Sequence, residues 1–152
     1  MKILIAVDGS DDALAAVDIA RDLWAADPET TFVLVHVRQP AVAAHAARVP
    51  IGAAGAVAYD PALLQELEVA AVQAAQRVLD HAQRRLGVER TRVELVEEVG
   101  RPAARILAAA DDHGVDLIVM GRRGLHGLSR LLVGSVSKAV LDQSPRPVLI
   151  CP

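Results

Sequence analysis

Aromatic side chains are almost missing from this chain: among its 152 residues only Trp24, Phe32 and Tyr59 are aromatic. Its 53% hydrophobic content must therefore build a core from Ala, Val, Leu and Ile. Cysteine is nearly absent too. Cys151 stands alone, which excludes an internal disulfide and fits a reducing cytosol. The only lysines are Lys2 and Lys138, and neither follows a glycine and precedes Ser or Thr in the manner of a P-loop. There is no excess of positive charge: the net charge is -3, which argues against nucleic acid as a partner. Long apolar runs are missing as well. Ile3 to Val7 is too short for a signal or a span and ends at Asp8, and no later segment offers the ~18 apolar residues that a membrane helix needs. These absences lead to the expectation of a soluble, cytoplasmic protein with no membrane contact.

What is present alternates. Lys2 to Val7 reads as a buried parallel strand, bounded by Asp8-Gly9-Ser10. Ser10 is a good N-cap, and Asp11 and Asp12 suit the first turn of a helix that stops before Pro28. The apolar face of that helix is assigned to Leu14, Val17 and Leu23 or Trp24. Thr31 to Val37 is a second strand. Gln39 to Asp60 loses all periodicity and reads as a long mobile loop. From Pro61 a long helix carries Leu64, Leu67, Ala71, Ala74 and Val78 as an inward stripe, with Gly87 as its C′ residue. Arg92 to Val99 partly alternates and suits a strand near a sheet edge. A helix from Gly100-Arg101-Pro102 to His113-Gly114 points Ile106, Leu107 and Ala110 inward. Val115 to Met120 is a buried strand. The last helix ends at Ser144-Pro145, and Pro147 to Cys151 is the fifth strand.

The pattern β-α-β-α-β-α-β-α-β implies one α/β domain over residues 1–152. The fold class is a doubly wound, five-stranded parallel sheet, Rossmann-like, of order 3-2-1-4-5, with helices on both faces. In such a fold a ligand sits at the carboxyl ends of the strands, where the order switches. If the first and fourth strands are neighbours, Asp8 and the segment Gly121 to Gly124 meet there.

The stretch Gly121 to Ser137 gives that crevice its chemistry. A strand opens into a loop holding Gly121, Gly124, Gly127 and Gly134, and the loop closes onto a helix start. Glycines allow close approach and positive φ, and the first amides of a helix, with its dipole, suit an anion. No carboxylate lies between Asp116 and Asp142, whereas Arg122, Arg123, Arg130 and Lys138 do. The segment therefore reads as a local positive field. Ser135 and Ser137 are read as able to cap the helix, which is compatible with holding a phosphate.

The spacing Gly121-x-x-Gly124, nine residues, then Gly134-Ser135 resembles the nucleotide loop of the universal stress protein family, G-x-x-G-x(9)-G-[ST]. The likeness extends from Val7-Asp8-Gly9-Ser10 to Arg146-Pro147-Val148-Leu149-Ile150. It implies ATP as ligand. Ala6 and Val7 would wall the pocket with Met120, and backbone near Val37 would meet the adenine. Asp8 and Gly121 would lie by the ribose. Arg123, Gly124, Gly134, Ser135, Val136 and Ser137 would take the phosphates. Asp8 could orient the ribose or hold a phosphate-bound Mg²⁺. The resemblance also implies a homodimer paired through Val148, Leu149 and Ile150, an apolar strand that would otherwise be a sticky edge.

No catalytic residue is assigned. His36 reads as structural, His45 and His81 show no ligand spacing, and His126 could touch phosphate or equally be solvated, as could Arg122 and Arg130. The dinucleotide fingerprint is absent after the first strand, and no nucleophile elbow or Cys–His pair occurs. The reading is a nucleotide-dependent stress-response binding module. Its alternatives are a slow ATPase using Asp8 and Arg123, or a scaffold that holds no nucleotide.

Overall fold

The structure, a computed structural model, describes residues 1–40, 61–124 and 133–152. Five strands form one parallel sheet: β1 (Lys2–Ala6), β2 (Thr31–Arg38), β3 (Val93–Val99), β4 (Leu117–Gly121) and β5 (Val148–Cys151), in the order β3-β2-β1-β4-β5. The described helices are α1 (Asp11–Trp24), α2 (Pro61–Leu86), α3 (Pro102–Asp112) and α4 (Ser135–Gln143). The chain moves outward from β1 through β2 to β3, then crosses back to β4 on the other side of β1. The order therefore reverses between β1 and β4, where Ala6 is in register with Met120. The sheet expected from the sequence is the sheet observed.

Each face has its own core. Ile3, Ile5, Val7, Phe32, Leu34 and Val119 pack against Ala16, Val17 and Ala20 of α1 and Leu79, Ala82 and Leu86 of α2. Leu4, Ala6, Val33, Val35, Ile118 and Met120 pack against Ile106, Ala109 and Ala110 of α3 and Val140 of α4. Alternate residues of each strand serve opposite faces, as the pleat requires. Burial on both faces explains why β1, β2 and β4 read as continuous apolar runs.

Two expectations shift in part. Val17 and Trp24 of α1 pack on the core as expected, joined by Ala13, Ala16 and Ala20, whereas Leu23 is 61% exposed. Helix α1 lies too close to the sheet for larger side chains, as its approach to β4 shows below. On α2, Ala74 is exposed, and Ala75, Leu79, Ala82 and Leu86 are buried. A strict 3-4-3-4 stripe drifts around a straight helix by ~20° per heptad, so the buried row moves to the next residue. The segment Gln39 to Asp60, read as a loop, lies outside the described residues from position 41 onward.

Arginines tie the elements together. The Arg92 guanidinium donates to the carbonyls of Thr30, Ala25 and Asp27 at 2.9, 3.1 and 2.6 Å, closing the turn after α1. Arg85 of α2 donates to both carboxylate oxygens of Asp18 on α1, at 2.9 and 2.6 Å. That contact, the hydrogen bond first, holds the Asp18 carboxyl below the ordinary carboxylate range.

Candidate functional site

The site is built where β1 and β4 end side by side. Just beyond β1, Asp8 Oδ1 accepts from the Ser10 amide at 3.0 Å and from the Ser10 hydroxyl at 2.6 Å. Ser10 Oγ in turn accepts from the Ala13 amide at 3.3 Å and caps α1, as its sequence position predicts. The other oxygen of Asp8 lies over the loop that leaves β4. A Cβ on Gly124 would sit 2.3 Å from Asp8 Oδ2. Asp8 and Gly124 therefore meet as expected, and the missing side chain makes room for the carboxylate.

Gly121 and Gly134 are close approaches of a different kind. A Cβ on Gly121 would lie 2.5 Å from the Asp12 carbonyl carbon and 2.8 Å from the Ala13 amide. Backbone of α1 thus passes directly over the end of β4. A Cβ on Gly134 would lie 3.3 Å from both the Arg122 carbonyl oxygen and the Arg123 Cα. Positive φ, the other use of glycine, is confined among the described residues to Gly9, Gly87, Gly100 and Gly114. Gly121, Gly124 and Gly134 are needed for space, not for a left-handed backbone. Gly127 lies outside the described residues.

These contacts pin the start of α4 against the exit of β4. The Gly134 amide donates to the Arg122 carbonyl at 2.8 Å. The buried Ser137 hydroxyl is shared between the carbonyls of Gly121 at 2.9 Å and Arg122 at 3.1 Å. Neither serine caps the helix. The N-cap is Gly134, which has no side chain to offer, and no acid occupies the first turn. Bonding within α4 begins with the Lys138 amide on the Gly134 carbonyl at 2.9 Å, so helix geometry leaves the amides of Ser135, Val136 and Ser137 without an acceptor inside the helix. Helix α1 is the contrast: its N-terminus carries a Ser10 cap with Asp11 and Asp12 in the first turn. Of these two helix starts, that of α4 is the one with neither a capping side chain nor an acid in its first turn to offset the dipole.

The remaining predicted residues divide. Ala6 and Met120 are buried on the α3/α4 face, with Val37 and Val136 packed against the same cluster. They form one apolar wall beside the start of α4. Val7 belongs to the opposite cluster, and its main chain is bonded to β2: its amide donates to Val35 O and its carbonyl lies 2.8 Å from His36 Nδ1. That nitrogen carries the ring proton, and His36 is a structural tie between strand ends.

Folding pairs two of the four cations of the acid-free segment with carboxylates, while the buried Arg122 Nε has no partner among the described residues. Arg123 Nε donates to Asp12 Oδ2 at 3.1 Å, and Lys138 Nζ donates to Asp142 at 2.8 Å. Asp12 reaches Arg123 from α1, a distant part of the chain, so local sequence gave no signal of the pairing. The contact of Asp12 with Arg123 is the feature of this region that sequence reasoning missed. His126 and Arg130 lie outside the described residues.

Chemically, the described site combines bare helix amides for an anion, an apolar wall, and a carboxylate suited to hydroxyls or a phosphate-bound divalent cation. An adenine nucleotide, with or without Mg²⁺, fits this donor set.

Comparison with known proteins agrees with this geometry. The profile of the universal stress protein family matches residues 1–152. Universal stress protein YxiE of Bacillus subtilis is 33% identical over 150 residues, covering 98% of this chain and 97% of its own. The solved structure of MJ0577, a universal stress protein of Methanocaldococcus jannaschii, superposes with a TM-score of 0.76 at 25% identity, covering 99% of this chain and 94% of that one. Two more remote structures share the fold. One is a universal stress protein in complex with cAMP (TM-score 0.66, 24% identity, covering 99% and 94%). The other is an Arabidopsis thaliana family member with AMP bound (TM-score 0.63, 16% identity, covering 99% and 90%).

Proposed function

The chain belongs to the universal stress protein family, and from that premise we propose that it is an ATP-binding regulatory module of the cytoplasm. The observation that carries the proposal is the start of α4. Its N-cap has no side chain and its first turn no acid, and Gly134 and Ser137 fix it at the point where the sheet order reverses. Amides held rigidly beside a strand end suit a phosphate, because their orientation costs nothing further on binding. The apolar wall of Ala6, Val37, Met120 and Val136 offers a place for adenine. Asp8 and Gly121 are assigned to the ribose, and Arg123, Gly124, Gly134, Ser135, Val136 and Ser137 to the phosphates. Asp8 Oδ2, set over Gly124, is the group suited to the ribose or to Mg²⁺ on the phosphates. Related folds holding cAMP and AMP are in keeping with an adenosine site in this architecture.

Slow ATP hydrolysis, the alternative, has less support, because Asp8 Oδ1, one of the two oxygens of its candidate base, is taken up by Ser10. The nucleotide would act by changing which surface the protein presents to a partner. The protein is further proposed to be a homodimer paired along β5, whose outer edge has no neighbour in the sheet. Titration calorimetry with ATP, and mass spectrometry of nucleotide released from the purified protein, test the reading. It expects one nucleotide per chain. Absence of both heat and co-purified nucleotide would leave the scaffold reading.

A further inference from the structure

We propose that Asp12 is the specificity-determining residue of this site: by holding Arg123 against α1, it sets how strongly the site favours a triphosphate over a monophosphate. The inference rests on the nucleotide reading above and goes on to its discrimination.

The geometry separates the main chain of Arg123 from its charge. A Cβ on Gly134 would be 3.3 Å from the Arg123 Cα, so the backbone of Arg123 lies at the N-cap of α4. Its guanidinium is elsewhere, at the first turn of α1, where Nε donates to Asp12 Oδ2 at 3.1 Å. Both side chains are largely buried, with 19% and 22% of their surfaces exposed, so water screens the pair less than it would a surface pair. An anion at the start of α4 therefore meets the Arg123 backbone, while Asp12 compensates the charge of its side chain. To lend that anion its full charge, the guanidinium must loosen its hold on Asp12. Asp12 also adds a fixed negative charge at the end of the sheet where Asp8 lies.

Both effects scale with the ligand's charge. A monophosphate is held by the helix amides and gains little from Arg123. A triphosphate extends further and carries more charge, so it can draw Arg123 from Asp12, at the expense of that ion pair. Removing the charge of Asp12 should therefore favour the longer phosphate chain selectively. The fold should tolerate the change, because Ser10 still caps α1 and Asp11 still complements its dipole.

The test is equilibrium binding of ATP and AMP to the parent chain, Asp12→Asn, Arg123→Gln and the double variant. Asp12→Ser serves as a second neutral variant, and nucleotide-free thermal melts establish folding. Taking Coulomb coupling at partly buried distances, ATP should bind about tenfold tighter in Asp12→Asn and AMP less than about threefold tighter. In the Arg123→Gln background, the gain for ATP should shrink to about threefold or less, since no cation remains to be released. An unchanged ratio of ATP to AMP affinity in both neutral variants, or weaker ATP binding, overturns the inference while the nucleotide reading stands. A parent chain that binds neither nucleotide overturns both.

Discussion

Gly121 shows how a single missing methyl group can fix an arrangement. Its Cα lies under the backbone of Asp12 and Ala13, so any side chain there would meet main-chain atoms that cannot rotate aside. The same closeness explains the alanines at positions 13, 16 and 20, which form most of the inward face of α1. Gly121→Ala should therefore destabilise the fold by about 3 kcal/mol, at the upper end of what an overpacked methyl costs. Chemical denaturation would measure the loss, and a change below about 1 kcal/mol would contradict the contact. The spacing of Gly121, Gly124 and Gly134 was legible in the sequence. Their reasons were not: each serves a partner, whether Asp12, Asp8 or Arg122 and Arg123, that only the folded chain brings near. The partner of Arg123 was hidden for the same cause. Its charge was counted along the chain, whereas its counter-ion comes from α1.

Helices and strands were easier to read than their faces. Alternation, caps and glycine stops located every strand within two residues, and burial on both faces gave β1, β2 and β4 an unbroken apolar signal. Faces depend on how closely an element approaches its neighbour, which periodicity does not encode. The pairing of α1 with α2 is such a case, with Arg85 and Arg21 converging on Asp18. Because the Asp18 carboxyl titrates below its ordinary value when folded, the contact stabilises the protein fully above pH ~4. The stabilisation disappears as pH falls through the folded value. Arg85→Gln should thus cost a small but measurable part of the stability at neutral pH, as partly exposed pairs do. That deficit should close in acid. Paired melting curves from pH 7 down to about pH 3 check this, and a deficit independent of pH would show that Arg85 acts by packing alone.

For the whole molecule, topology was the most legible feature and places the site, since a sheet of order 3-2-1-4-5 reverses only between β1 and β4. The same topology leaves β5 at an edge. Its hydrogen bonds to β4 use the carbonyls of Pro147 and Cys151, which turns the main chain of Ile150 outward. Ile150→Pro would remove an outward amide without breaking the ladder to β4. If chains pair along this edge, sedimentation should show a two-chain particle for the parent and a single folded chain for Ile150→Pro. A two-chain particle that persists in the variant would place the interface elsewhere.

The account depends most on the bare amides of α4, and one substitution addresses them. Ser135 is the first residue of the helix, where proline is tolerated, and Gly134 before it has φ -64° and ψ 154°, a conformation compatible with a following proline. Ser135→Pro should keep the fold while deleting one donor from the cradle. Calorimetric titration of ATP into this variant and into the parent is the most direct measurement. A folded variant that binds ATP about tenfold to a hundredfold more weakly is the predicted result, as for a lost hydrogen bond to a charged group. Equal affinity in the two proteins would show that the phosphates do not rest on the start of α4.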